Sequence, residues 1–170
     1  QARNLVATMF RSVESIPQVK ILANVWGSDL LGNVGITPVR TEEECNRINT
    51  DSEDMCLTPT HEALKYSAKQ LAKYSGKKLL IMITDGYPQY WKDAKEFSEQ
   101  VLVNLTMKEY RKAQRYCRNI MCINVSSEDS SRENLKRIFK KNYVEFPGME
   151  QASKFVLKNF RKTVNATLRR

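Results

Sequence analysis

The sequence is poor in the residues and motifs on which most catalytic and metal sites depend. Its 170 residues contain one histidine and four cysteines, and the spacings of the cysteines match neither a CxxC pair nor a zinc finger. GxSxG, P-loop and GxGxxG elements are absent. Because His61 is the sole histidine, a zinc centre and a serine triad are both disfavoured. The sequence therefore predicts no catalytic residue, and at most a non-catalytic subunit of an enzyme complex.

Long apolar runs are also missing. No stretch approaches the roughly 18–20 apolar residues that a membrane-spanning helix needs, which excludes that class. Four cysteines in 170 residues are too few for a disulfide-stabilised scaffold. We therefore expect a reducing, cytoplasmic environment and no membrane contact.

The charge that is present is unevenly distributed. The chain carries 28 Lys and Arg against 19 Asp and Glu, a formal net charge of +9. Residues 1–106 have a net charge of −1, and residues 107–170 have a net charge of +10. The excess of basic residues is thus confined to the last 64 positions.

Hydrophobic periodicity predicts alternating strands and helices in a single domain over residues 1–170. The predicted strands are 19–26, 33–39, 79–84, 119–125 and 143–146, and the predicted helices are 4–13, 61–75, most of 92–116, 131–140 and 149–167. The acidic segment 41–54 has no apolar period and is predicted to be a loop. The strands 79–84 and 119–125 are almost wholly apolar, as in parallel sheets. The expected fold is α/β, with a Rossmann-like, doubly wound, mostly parallel open sheet, one antiparallel edge strand and helices on both faces.

Two polar positions fall where such sheets bind ligands, at the carboxyl ends of their strands. Asp85 directly follows a buried strand, and it either faces the crevice or merely caps the strand as an Asx-turn. Thr58 precedes a predicted helix for which Thr60 is a good N-cap. A hydroxyl and a carboxylate are oxygen donors of the kind that Mg²⁺ prefers.

These segments resemble the von Willebrand factor A domain. The segment CLTPTHEAL at 56–64 is similar to that family's threonine loop, and LLIMITDG at 79–86 is similar to the strand that ends in its metal-site aspartate. Within the family, the TDG-x-P turn and the NIMCINV strand are most similar to subunit T of cobaltochelatase and to related chelatase and nitric-oxide-reductase accessory proteins. The resemblance covers essentially the whole chain.

One motif of the family is lacking. The metal-ion-dependent adhesion site begins with DxSxS after the central strand, and no DxSxS occurs in these 170 residues. We expect the chain to be the C-terminal part of a longer protein that begins just after that motif. The alternative is a domain that has lost the site and kept the scaffold.

The resemblance implies roles for particular residues. Thr58 and Asp85 would bind Mg²⁺ or another divalent cation, directly or through water, if DxSxS lies upstream. Thr60, Tyr87 and Gln89 would lie beside a protein partner whose acidic residue completes the coordination sphere. A likeness to the cobaltochelatase subunit implies a partner ATPase of the AAA+ class.

The basic C-terminal third supports a different hypothesis. Its charges recur at helical spacing, and the candidate basic surface comprises Lys136, Arg137, Lys140 and Lys141. Such a surface could bind nucleic acid through phosphates, although no reader motif or stacking platform accompanies it. A non-catalytic scaffold whose basic helices bind an acidic protein or nucleic acid is therefore the second hypothesis.

Overall fold

A computed structural model describes residues 2–13, 16, 19–47, 57–84, 88–92, 95–125 and 129–145, together with five single positions beyond them. Those positions are Lys154, Leu157, Lys158, Arg161 and Lys162, all of them helical. The helices are α1 (Ala2–Val13), α2 (Glu42–Arg47), α3 (Thr60–Ala72), α4 (Glu99–Tyr116) and α5 (Asp129–Phe139). The strands are β1 (Ala23–Ser28), β2 (Val34–Val39), β3 (Leu79–Thr84), β4 (Trp91–Lys92), β5 (Lys95–Glu96), β6 (Asn119–Asn124) and β7 (Tyr143–Glu145).

The strands form a parallel sheet and two antiparallel pairs. The order β3-β6-β7 is parallel throughout, with Leu79 opposite Asn119 and Cys122 opposite Tyr143. β1 and β2 pair antiparallel, as predicted for residues 33–39, and β4 with β5 makes a second, very short pair. The chain is thus a mixed α/β protein with a parallel sheet.

The alternation of side chains along β3 and β6 divides the core between two faces of the sheet. Met82, Ile120 and Cys122 point to one face and pack with residues of α3, α4 and α5. Ile81, Met121 and Ile123 point to the other face and pack with Leu5 and Met9 of α1. Because both faces of these strands are covered, neither could be amphipathic, which explains their nearly continuous apolar sequence.

The predicted loop 41–54 is wrong for its first half, which forms α2. The Thr41 hydroxyl accepts a hydrogen bond from the Glu44 N–H at 3.1 Å, and the Glu44 carboxylate accepts one from the Arg40 N–H at 2.7 Å. This is close to a capping box, whose T-x-x-E signature is present in the sequence. Residues 48–56, including Cys56, lie outside the described part of the chain.

Other elements begin or end at residues different from those predicted. The predicted strand 19–26 begins later, at Ala23, and extends to Ser28. A turn follows at residues 29–33, in which the Asn33 N–H donates a hydrogen bond to the Asp29 carboxylate. The predicted helix over 92–116 begins only at Glu99, after the β4–β5 pair. No helix in the described ranges is long and apolar enough to cross a membrane.

Candidate functional site

The loop before α3 is held by its own backbone. The C=O of Thr58 accepts a hydrogen bond from the N–H of Thr60 at 2.8 Å, and the Thr60 hydroxyl lies 3.4 Å from the same oxygen. Pro59 is the N-cap and makes no side-chain cap hydrogen bond. The Thr58 side chain is half-buried, whereas Thr60 is fully buried. Thr60 therefore fixes the loop from within, and its side chain is not at the surface where a partner-binding residue was expected.

A hydrogen bond joins this loop to the segment that follows β3. The N–H of Gln89 donates to the C=O of Thr58 at 3.1 Å, and the Gln89 side chain is exposed. β3 ends at the buried Thr84, and Pro88 is also buried. Asp85 and Tyr87 lie between these two anchors, outside the described residues. The structure thus brings the backbones of Thr58 and Gln89 together.

His61 is nearly buried at the start of α3. Its position in the sequence predicts either an exposed residue or one that supports the site from behind, and the first alternative is wrong because His61 is only 6% exposed. Its ring packs edge-on against Tyr90, with 5.1 Å between ring centroids. Its Nδ1 has no hydrogen-bond partner among the residues that the structure describes. Burial lowers the pKa of His61, against the weaker opposing effect of the Glu62 carboxylate. His61 is consequently an uncharged side chain that packs beside the threonine loop.

The end of β1 contributes residues that sequence analysis missed. Ser28 and Leu57 exchange two backbone hydrogen bonds, each 3.1 Å long. This bridge attaches the threonine loop to the carboxyl end of β1. The Ser28 side chain is fully buried, and its hydroxyl has no hydrogen-bond partner in the described part of the chain. Local sequence does not reveal this role, because Gly27, Ser28 and Asp29 form a typical turn tripeptide.

The described residues offer an oxygen ligand of the type that a hard cation prefers, but too few such ligands to bind the ion by themselves. Thr58 offers a hydroxyl oxygen, and no group of three or more His, Cys, Asp or Glu residues that could hold a metal ion occurs in these ranges. Mg²⁺ takes oxygen ligands and retains several waters. Thr58 therefore fits such an ion as one ligand of several.

A shallow cavity lies directly beside Gln89. Its volume is about 310 Å³, and it is bounded by Pro88 and Gln89 on one side and by the start of α4 on the other. The Glu99 carboxylate at this helix start accepts a hydrogen bond from the Asn134 amide at 2.6 Å. The surface next to the threonine loop is therefore concave and polar.

The candidate basic surface is interleaved with carboxylates. The Lys136 ammonium lies 3.8 Å from Glu133 and 3.9 Å from Glu145, and Arg132 pairs with Glu145 as well. Arg137 donates to the Gln100 side chain at 3.1 Å. Lys140 and Lys141 follow in a 3₁₀ turn and are exposed. The four predicted positions are thus close in the chain, and carboxylates partly cancel the positive charge of one of them, Lys136.

The comparisons with known proteins reveal one distant structural likeness. The chain is similar to part of the crystal structure of the pilus adhesin SpaC from Lactobacillus rhamnosus GG, with a TM-score of 0.64 and 12% sequence identity. The alignment covers 98% of this chain and 28% of the adhesin, so the chain spans less than a third of that protein's length. No protein-family model and no curated protein matches the chain. At this identity the likeness shows a shared fold.

Proposed function

We propose that this chain is a von Willebrand factor A-type domain that makes divalent-metal-dependent contacts with a protein partner. The observation that carries the proposal is the 3.1 Å hydrogen bond from Gln89 to Thr58. It places the residue four positions after Asp85 against the threonine loop, at the carboxyl edge where open α/β sheets bind ligands. The described packing on both faces of β3 and β6 agrees with the doubly wound sheet of that family.

Thr58 and Asp85 would hold the ion, and a DxSxS motif, if one lies upstream, would add further oxygen ligands. When bound, the ion would supply a positive charge that attracts a carboxylate of the partner. Thr58 is suited to this role because its backbone is fixed by two hydrogen bonds, so its hydroxyl needs little reordering. Gln89, with its exposed amide beside the same loop, would hydrogen-bond to the partner, and Tyr87 would lie between the two.

The class of partner rests on the resemblance alone. If the similarity to subunit T of cobaltochelatase holds, the partner is an AAA+ ATPase and the site is in the cytoplasm. The chain would then bind the ATPase and would not itself catalyse a reaction. The adhesin likeness supports the fold and adds nothing about the partner.

The second hypothesis is a scaffold with a degenerate metal site and a basic surface that binds an acidic protein or nucleic acid. Phosphate binding depends on unpaired cations and on their release of counterions. The carboxylates of Glu133 and Glu145 compete for Lys136. We therefore rank this hypothesis second.

Metal titration of the full-length protein tests the proposal. Isothermal titration with Mg²⁺ and Mn²⁺ should reveal one site, weakened at least about ten-fold by Asp85→Ala and by Thr58→Val, each of which removes an oxygen ligand. Thr37→Val, on the exposed side of β2, is the matched control and should leave metal affinity unchanged. Retention of full affinity by Asp85→Ala would overturn the metal site.

The partner contact needs a separate measurement. Capture of an AAA+ ATPase by the immobilised protein should require Mg²⁺, disappear in EDTA, and be lost in Asp85→Ala while circular dichroism shows an intact fold. Binding that is equal with and without metal would refute metal-dependent contact. Salt-sensitive DNA binding lost on Lys136→Glu would instead favour the second hypothesis.

A further inference from the structure

A second concave surface lies near the end of the chain and is lined by basic side chains. Its volume is about 400 Å³. The residues that line it are helical and recur at the i, i+3, i+4, i+7 and i+8 positions that share one side of a helix: Lys154, Leu157, Lys158, Arg161 and Lys162. Four of these five residues are cationic. We call this surface the C-terminal groove.

The cations of the C-terminal groove are accessible to a ligand. All four are exposed, whereas Leu157 is half-buried. Lys158, Arg161 and Lys162 make no hydrogen bond or ion pair with any residue that the structure describes. Binding of an anion by these three side chains would therefore break no existing contact among the described residues.

The sequence that forms the groove lacks acidic residues. Residues 151–170 contain six Lys and Arg and neither Asp nor Glu. On α5, by contrast, the carboxylates of Glu133 and Glu145 lie 3.8 and 3.9 Å from the Lys136 ammonium. Because paired cations attract anions less strongly, the C-terminal groove is the better anion site of the two basic surfaces.

The number of cations in the groove matches the charge density of a phosphate backbone. A helix rises by about 1.5 Å per residue, so Lys154 and Lys162 are about 12 Å apart along its axis. One strand of duplex DNA carries a phosphate every ~3.4 Å along its axis, which gives about three to four phosphates over that length. An extended acidic peptide directs only alternate side chains to one side, so it presents about half as many charges. A DNA strand therefore fits the four cations better.

We propose that the C-terminal groove binds the phosphate backbone of duplex DNA without reading its sequence. Lys158 and Lys162 would each pair with a phosphate, and the Arg161 guanidinium would form two parallel hydrogen bonds to one. Contacts with phosphates position a protein on DNA but carry no sequence information. Single strands fit less well, because they are held largely by stacking on aromatic rings, and the five described residues of the groove include none.

The C-terminal groove shares no residue with the threonine loop or with the candidate basic surface on α5. The proposal thus goes beyond the second hypothesis, which places nucleic acid on α5 and assumes a degenerate metal site. DNA binding in the groove requires no metal ion, and it is compatible with either state of the metal site.

Fluorescence anisotropy in EDTA tests the proposal. The full-length protein should bind a labelled duplex of about 20 base pairs, with an affinity that falls steeply between 50 and 200 mM salt because bound counterions are released. Two unrelated sequences should bind equally within about three-fold. Absence of binding at 50 mM salt, or a strong preference for one sequence, would overturn the proposal. Because EDTA is present, failure of the metal site does not affect the result.

Paired neutral substitutions locate the contact. Lys158→Gln with Arg161→Gln removes two cations, so it should weaken binding at least about ten-fold at 100 mM salt and reduce the salt slope by about two. Lys140→Gln with Lys141→Gln removes the same charge from the other basic surface and is the matched control, with less than about a three-fold effect. All four positions are exposed, so circular dichroism should show an intact fold in both variants. Equal losses would overturn the groove as the site.

Competition identifies the class of partner. Unlabelled duplex DNA should displace the labelled duplex at a lower concentration of charge than polyglutamate does. Equal or better displacement by polyglutamate would make an acidic protein the ligand, and tighter binding of duplex RNA would make RNA the ligand. Either result would overturn the assignment to DNA.

Discussion

The hydroxyl of Tyr90 donates a hydrogen bond to the backbone C=O of Gly32, with 3.1 Å between the oxygens. The contact joins the turn after β1 to the segment that follows the candidate site. Tyr90 also packs against His61 of α3. One tyrosine thus holds three parts of the chain together around the threonine loop.

Gly32 should tolerate no side chain. Its φ is +89°, and a Cβ there would lie 2.3 Å from the C=O oxygen of Trp91. Gly32→Ala therefore combines backbone strain with a clash against main chain, and we expect it to cost clearly more than the ~1 kcal/mol of strain alone. Gly76→Ala is the control, because Gly76 has φ +86° and open space around it. Urea unfolding compares the two, and equal losses would show that the turn moves freely away from Trp91.

Acid should destabilise the protein through His61. Its pKa is lowered by burial, so between the folded and the unfolded values the unfolded chain binds more protons. The free energy of unfolding therefore falls as the pH drops below the unfolded value of about 6.5. Urea unfolding at pH 7.5 and 5.0 measures the loss, and His61→Phe should reduce it. An identical pH dependence in that variant would assign the effect to other groups.

Lys140 is a place where a substitution should stabilise the fold. Its φ is +51°, the left-handed region that glycine adopts without strain. Lys140→Gly should raise the free energy of unfolding by about 0.5–1 kcal/mol, although glycine loses more backbone entropy. Lys141→Gly, one residue later, is the matched control and should destabilise. A loss of stability in Lys140→Gly would contradict the left-handed assignment.

Leu5 should be essential for docking α1. Its side chain is fully buried against Ile123 and neighbouring strand residues. Leu5→Ala should cost about 2–5 kcal/mol through lost burial and a residual cavity. Leu31→Ala, at a position 68% exposed, should change stability by less than about 0.5 kcal/mol. A small effect of Leu5→Ala would mean that α1 is not fixed on the sheet.

The sequence alone determined the strands β3 and β6 and their parallel, doubly covered character, because six-residue apolar runs without alternation fit few other environments. It also determined the helices α3 and α5 to within three residues, whereas the roles of Thr58 and Gln89 remain predictions that follow from the resemblance. These features depend on patterns within short stretches of chain.

Only the tertiary structure decided the burial of His61 and Thr60, the bridge from Ser28 to Leu57 and the registers in which β1 pairs with β2 and β3 pairs with β6. The start of a helix is solvated in isolation, but at the start of α3 the ring of Tyr90, 29 positions after His61, packs against it. Strand pairing likewise joins residues far apart in sequence, so local periodicity predicts that a strand exists but not which neighbour it receives. The physical reason is that burial and pairing are properties of the packed whole, whereas propensity and periodicity are properties of each segment.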